Sequence, residues 1–243
     1  MDKREPAIIE GAKIVLFMKS TSSNQIMNDI LKDLYSLKKP EAVLFSKKND
    51  IHPFDDPKPL EFYSLKNQAG LIVISSHSKK RPHNMVLCRM FDHQLLDMVE
   101  LGVTNMALMD EFKKSASLGF KPCVLFNGDL WETSDELKTA KSILADLFCG
   151  DKTADHIDLE GLTHSIFVTA VDQDNATRIY VRTHAIQLKK SGTKCPRVEL
   201  EEMGPHMDFE LRRVRNAESS LMKEALRIPK EAKVIHSISS DSD

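Results

Sequence analysis

Ser76-His77-Ser78-Lys79 and Lys190-Ser191-Gly192 are the two places where this chain's letters approach a catalytic pattern. A serine three residues before a lysine can set a hydroxyl beside an amine that takes its proton, and a distant Lys-Ser-Gly turn can line the same acyl-transfer site. The same spacing recurs at Ser36 to Lys39, at the end of a helical stripe, and no Ser-Asp-Asn element follows. In a chain rich in Ser and Lys such short patterns arise by chance, so no catalytic residue is expected. The sequence has no phosphate-binding glycine loop, no Gly-X-Ser-X-Gly elbow and no His-Glu-X-X-His. Its nine histidines are dispersed, and Cys88, Cys123, Cys149 and Cys195 lack the paired spacing of a zinc site. The cysteines read as reduced thiols, and neither metal nor cofactor is implied.

What remains is charge. A net charge of -2 argues at first against nucleic acid, because phosphate binding is driven by cations that displace condensed counterions. The distribution of the charge argues the other way. Between Lys38 and Arg89 ten Lys/Arg stand against five Asp/Glu, and between Arg178 and Arg215 nine stand against five. The intervening Asp92 to Glu160 holds fourteen acids against six bases, so basic and acidic stretches are segregated as in a two-faced binding protein.

Two turns concentrate the cations. In SSHSKKRPHN, Lys79, Lys80 and Arg81 share one turn stiffened by Pro82, with His77 and Asn84 as neutral hydrogen-bonding neighbours. Mobile lysine charge beside a planar guanidinium suits a folded RNA backbone followed without reading its sequence. A merely solvated loop accounts for the same letters. Farther on, Lys189, Lys190, Lys194 and Arg197 lead through Gly192 to a strand carrying Glu199, Glu201 and Glu202, so opposite charges lie side by side, and at least one of Arg212, Arg213 and Arg215 on the last strand is expected to pair with an acid. Strand alternation places Arg213 and Arg215 on one face and Arg212 on the other. Trp131 and the few other aromatics fall within predicted strands and helices, where core packing is expected rather than base stacking.

The elements that position these turns come in two similar sets. Ile14 to Met18 has strand length and composition, Ser20 to Asn24 reads as a helix cap, and Ile26, Ile30, Leu34 and Leu37 recur at helical spacing, with Met27 and Leu31 widening the stripe, until Pro40. Cys123 to Phe126 is again a strand, Thr133 with Glu136 matches a capping box, and Leu137, Ala140, Leu144, Leu147 and Phe148 form a second stripe ended by Gly150. Val15-Leu16-Phe17 answers Val124-Leu125-Phe126, and ILKDLY at Ile30 to Tyr35 answers ILADLF at Ile143 to Phe148. Hairpins are expected from Leu71–Ile74 with Met85–Leu87 and from Ser165–Val168 with Arg178–Val181. The strands closing the two sets also rhyme, MVELG at Met98 with RVELEEMG at Arg197. The pattern predicts two fused α/β halves related by an approximate twofold. A loop is expected from Ser46 to Leu60, then a short helix to Lys66, and later a strand at Met207–Val214 and a helix at Ala217–Arg227. No apolar run nears the roughly 18 residues of a membrane helix, and MDKREPAIIE lacks a secretory apolar stretch, so a cytosolic or nuclear protein with no membrane contact is expected.

Taken together, KSTSSNQIMNDILKDLYSLKKP, PFDDPKPLEFYSLKN, SHSKKRPHNMVLCRMFDHQLLDMVELG and LKKSGTKCPRVELEEMGPHMDFELRR resemble the Brix-domain family, with likeness running from about Glu10 to Arg227. The resemblance implies a Brix fold of two α/β halves, each like an anticodon-binding domain, related by a pseudo-twofold. The expected extents are 10–118 and 119–228, after an N-terminal extension over 1–9 and before a disordered tail over 229–243. It also implies a non-catalytic ribosome assembly factor of the nucleus and nucleolus. Such a factor binds 5S ribosomal RNA and large-subunit precursor RNA, pairs with the regulator of ribosome synthesis protein, and meets the ribosomal proteins of the 5S particle. Carried onto this chain, it makes Lys79, Lys80, Arg81, Lys189 and Lys190 the first RNA contacts expected. Asn84, Lys194 and Arg197, beside them in sequence, and Arg213 on the last strand are expected RNA contacts too, with Lys38, Lys39 and Arg89 as weaker candidates. Ser75 departs from the Gly that relatives tend to carry there, and the strongly basic C-terminal extension typical of the family is absent. A scaffold that binds only proteins, through an exposed sheet edge, is the rival expectation, as is another rRNA-processing role within the family.

Overall fold

Ile14–Ser20 forms β1, an apolar strand paired on both edges and buried on both faces, Val15 and Phe17 against Met27, Ile30 and Leu34, Leu16 and Met18 against Ile51 and Leu60. In this computed structural model, residues 13–114, 116–149, 161–173 and 176–227 are described; the N-terminal extension, Gly150 and the tail expected above lie outside them. Asn24 caps α1 (Gln25–Lys38), its side chain accepting from the Met27 N–H at 3.0 Å. Met27, Ile30, Leu31, Leu34 and Leu37 are the buried stripe, while Ile26, which the spacing also put on that face, is 41% exposed. After Pro40 the chain returns as β2 (Ala42–Asn49), parallel to β1. The loop expected from Ser46 therefore begins only beyond Asn49. This strand escapes periodicity because it is an edge, half exposed, with Lys47 and Lys48 guarding its outer end. α2 (Lys58–Asn67) follows, then an antiparallel meander of β3 (Ala69–Ser76), β4 (Asn84–Phe91) and β5 (Gln94–Ala107).

The second set repeats the first. β6 (Cys123–Asn127) leads into α3 (Asp135–Phe148), and β7 (His164–Gln173) lies parallel to β6. β8 (Ala176–Lys189) turns back antiparallel; β9 (Arg197–Glu202) and β10 (His206–Arg215) then line one side of it in succession, and a short α4 (Ser219–Ala225) follows. The cap of α3 is Ser134, accepting from the Leu137 N–H at 3.2 Å, not Thr133. Thr133 instead closes a 3-10 turn at Asp129–Glu132 by donating to the Leu130 carbonyl, which moves the helix start one residue on.

One ten-stranded sheet results, ordered β2-β1-β3-β4-β5-β10-β8-β7-β6, with β9 beside β8. Apart from β2 the order is palindromic: β1 and β6, β3 and β7, β4 and β8 hold equivalent places, and β5 meets β10 antiparallel at the seam. The pseudo-twofold duplication is thus a property of the fold. The likeness of helix letters is also spatial, since Ile30, Leu31 and Leu34 and their counterparts Ile143, Leu144 and Leu147 are all buried. The rhyme of closing strands is not. Met98–Gly102 lies on β5 at the seam, whereas Arg197–Glu202 is β9, against the C-terminal part of β8.

α1 and α3 pack on the same face, over a single core that runs from Phe17 through Trp131 to Phe209 and joins both halves. Leu60 of α2 and Ile51 cover the opposite face of the first half, on Leu16, Ile72 and Val86.

Candidate nucleic-acid interface

The turn between β3 and β4 is built before it is charged. Ser78 and Arg81 exchange backbone hydrogen bonds, Ser78 N–H to the Arg81 carbonyl at 3.1 Å and Arg81 N–H back at 3.2 Å. His77 Nδ1 accepts from the His83 N–H at 3.2 Å and lies 3.1 Å from Asn24 Nδ2, so the turn is tied to the cap of α1. Burial, with the charges of His77 and Arg212 behind it, holds His83 below its ordinary histidine value. The expected departure at Ser75 is accommodated: its buried hydroxyl meets that of Ser23 at 2.8 Å. Lys79 and Lys80 stand exposed on this frame with no carboxylate partner among the described residues.

β1 and β2 run parallel to β3, so Lys19, Lys47 and Lys48 reach the same end of the strands as Lys79 and Lys80. The N-terminus of α1, with its outward N–H groups and positive dipole end, lies there too. Lys48 is anchored by donating to the Ser23 carbonyl at 3.1 Å. Sequence reasoning gave these three lysines no individual role, because only parallel pairing of strands far apart in the chain gathers them.

Arg81 and Arg213 behave differently from the lysines. Both bind Glu100, whose side chain is 1% exposed; Arg213 Nε donates to Oε2 at 2.5 Å and Arg213 Nη2 to Oε1 at 3.1 Å. Asn84, buried, donates to Glu100 Oε1 at 2.9 Å and to Ser76 Oγ at 3.3 Å, and accepts from Arg212 Nη1 at 2.8 Å. Ser76, the serine of the Ser-X-X-Lys pattern, thus belongs to this network. Burial raises the Glu100 carboxyl, but hydrogen bonds from Arg213 and Asn84 and the charges of Arg213 and Arg81 outweigh it and hold the pKa below the ordinary value. Arg212 and Arg213 therefore lie on the same face, contrary to simple alternation. The register of β10 against β5 shifts between Leu211 and Val214, and the extra residue of that bulge turns both guanidiniums toward Glu100 and Asn84.

Three candidates are not surface cations or groups at all. Arg89, 8% exposed, holds Asp97 through Nε at 2.9 Å and through Nη2, and reaches Ser142 at 2.6 Å and Asp146 at 3.1 Å on α3. Lys38, 7% exposed, donates to the Cys149 carbonyl at 3.0 Å, placing a cation on the C-terminus of α3, and lies 3.4 Å from Glu41. Asn84 is the buried bridge described above. All three, expected among RNA contacts, are turned inward instead of standing on the surface: burial without partners would cost too much, so the fold supplies the partners itself. Lys39 is exposed, 4.6 Å above the Tyr35 ring.

At the β8–β9 turn, Lys189 and Arg197 both pair with Glu199, as the adjacency of opposite charges implied. Lys190 and Lys194 are exposed in the turn, with no carboxylate partner among the described residues. β3 and β8 point the same way along the sheet, so the turns that follow them leave from the same end of the strands. Among the described residues no group of three or more His, Cys, Asp or Glu side chains could hold a metal, and no helix is long and apolar enough to cross a membrane.

The Brix domain model matches residues 20–213, which include both basic turns and the Glu100 network. A ribosome production factor 2 homolog from Schizosaccharomyces pombe is 42% identical over 236 residues, 95% of this chain and 74% of that protein. The human homolog is 41% identical over 234 residues, 96% of this chain and 75% of its own length. Among solved structures, a probable ribosomal biogenesis protein from Aeropyrum pernix K1 aligns with a TM-score of 0.49 at 14% identity, over 85% of this chain and 99% of that one. The match spans both similar halves and the seam between them, and the chain belongs to the Brix family.

Proposed function

We propose that this chain is a non-catalytic ribosome assembly factor that holds 5S ribosomal RNA and large-subunit precursor RNA on the cationic end of β1, β2 and β3. Lys79 and Lys80 carry the reading: both are exposed and, among the described residues, unpaired by acids, on a turn fixed to α1, with Lys19, Lys47 and Lys48 at the same strand ends. Such an array neutralises phosphates without selecting bases. Lys190 and Lys194 extend it from the β8–β9 turn. Kinship with ribosome production factor 2 supplies the assembly role, and with it nuclear and nucleolar residence and proximity to the ribosomal proteins of the 5S particle.

The test is 5S RNA binding measured across a salt series. Lys79→Glu with Lys80→Glu lowers affinity and flattens the log–log salt slope by about 1 for each phosphate no longer neutralised. An unchanged slope would sink the assignment of this turn.

The sheet edge favours a second, compatible role. β1 has β2 on its outer side, but β6, its equivalent, has no outer neighbour among the described residues, and Leu125 there is 38% exposed. An open edge accepts a strand from a partner, here the regulator of ribosome synthesis protein. Leu125→Glu then abolishes copurification of the coexpressed pair while leaving the RNA salt slope intact; retention of the pair refutes this edge as its seat.

A further inference from the structure

Behind the Lys79–Lys80 turn lies a cleft of about 310 Å³ between the sheet and the loop that follows β2. That volume is at the low end of the range, about 300–1,000 Å³, that small-ligand sites span. Its floor is apolar, with Ile51, Ile74 and Val86, and its rim carries serine hydroxyls and the Arg81 and Arg213 side chains. The Phe54 ring stands in the wall with the Arg213 guanidinium 3.8 Å from its centroid.

The charge of the cleft follows from Glu100. Its two oxygens are occupied by Arg81, Arg213 and Asn84, so it does not recruit a further cation. Two guanidiniums face two carboxylates, Glu100 and Asp55, so the positive excess at this cleft comes from Lys79 and Lys80 on the adjoining turn. The Arg81 and Arg213 side chains are 40% and 43% exposed, and each guanidinium has five N–H donors, of which Glu100 uses only part. A ring paired with a guanidinium plane is also the surface on which unstacked bases settle. Apolar floor, planar cationic wall and anion-binding rim together describe one nucleotide.

We infer that this cleft receives a single nucleotide swung out of an RNA strand, its base against the Phe54–Arg213 pair and its phosphate on Arg81 and the adjoining lysine turn. The inference deepens the RNA-holding role proposed above and rests on it. It gives that otherwise sequence-blind surface one position that selects unpaired RNA over duplex, because a paired base cannot leave its stack without losing its partner.

Two probes test it on the full chain. The first is a single-stranded oligoadenylate carrying one 2-aminopurine; the second is adenosine 5′-monophosphate titrated into protein with labelled isoleucine methyls. Wild type changes the 2-aminopurine fluorescence and shifts the Ile51 and Ile74 methyls. Phe54→Leu, which keeps the wall apolar, loses both responses and weakens the oligonucleotide about fivefold to a hundredfold, the range that base–aromatic stacking supports. Lys79→Glu with Lys80→Glu loses the salt-dependent affinity yet keeps the methyl shifts. Methyl shifts with the mononucleotide but no fluorescence change identify a free nucleotide as the source and overturn the strand-borne one. If Phe54→Leu binds the oligonucleotide as wild type does, the cleft is not a base site, and the RNA reading stands or falls on its salt slope alone. Methyl shifts produced by hexaglutamate and not by the mononucleotide overturn the inference in favour of an acidic peptide.

Discussion

Glu100 shows how one buried residue decides what several surface residues do. Without it Arg81 and Arg213 would extend into solvent as two more cations; with it they form a braced pair at the mouth of a cleft. Glu100→Gln keeps the shape but removes the charge. We expect a loss of about 2 kcal/mol in denaturant unfolding, below the roughly 3–5 kcal/mol of a fully buried pair, because both guanidiniums stay partly hydrated. The pH dependence has a definite sign. Since the folded Glu100 pKa lies below its ordinary value of 4.5, its contribution is complete above that value and is lost as the pH falls through the folded one. The acid limb of wild-type stability below about pH 4.5 is therefore shallower in Glu100→Gln, and identical limbs would show that the carboxylate contributes nothing. Only the adjacency of Glu199 to its basic neighbours was legible at this scale. Glu100 sits among apolar letters in MVELG and shows no sign there of the three groups that converge on it.

Among the elements, β10 is the informative case. Alternation fails at Arg212 and Arg213 because a bulge inserts one residue, and Gly102 on β5 leaves room for the result. A Cβ at Gly102 would collide with Arg212 Cζ, so the guanidinium would have to move. Gly102→Ala is expected to cost no more than about 1.5 kcal/mol, since the displaced group is the far end of a flexible side chain. Arg212→Ala should absorb most of that cost, and a double-mutant cycle measures the coupling. Additive effects would mean that the bulge does not depend on this contact. Helices and inner strands were legible because their burial imposes a period: Ile30, Leu34 and Leu37 of α1 and Leu137, Ala140, Leu144, Leu147 and Phe148 of α3 face the core as the spacing required, though Ile26 does not. β2 was not, because an edge strand buries too little to leave a pattern.

At the level of the whole molecule, the two halves behave as one body because the core is continuous and two cations cross the seam between them. Arg89 links β4 and β5 to α3, and Lys38 links the end of α1 to the end of α3. Arg89→Ala leaves Asp97, whose side chain is fully buried, without its counter-ion, and should cost about 3–5 kcal/mol. Hydrogen exchange should then quicken in α3 ahead of the first-half strands; uniform acceleration would place the linkage elsewhere. By itself the sequence determined the duplication, the family, the two helical stripes and the cationic turns, because each is written in local spacing or in letters that repeat. Which cations remain available was decided only by tertiary structure. Lys79, Lys80, Lys190 and Lys194 stay in solvent, Arg81 and Arg213 are braced on Glu100 with donors to spare, and Arg89 and Lys38 are buried on internal partners; charge pairing depends on distances between strands that no local pattern encodes.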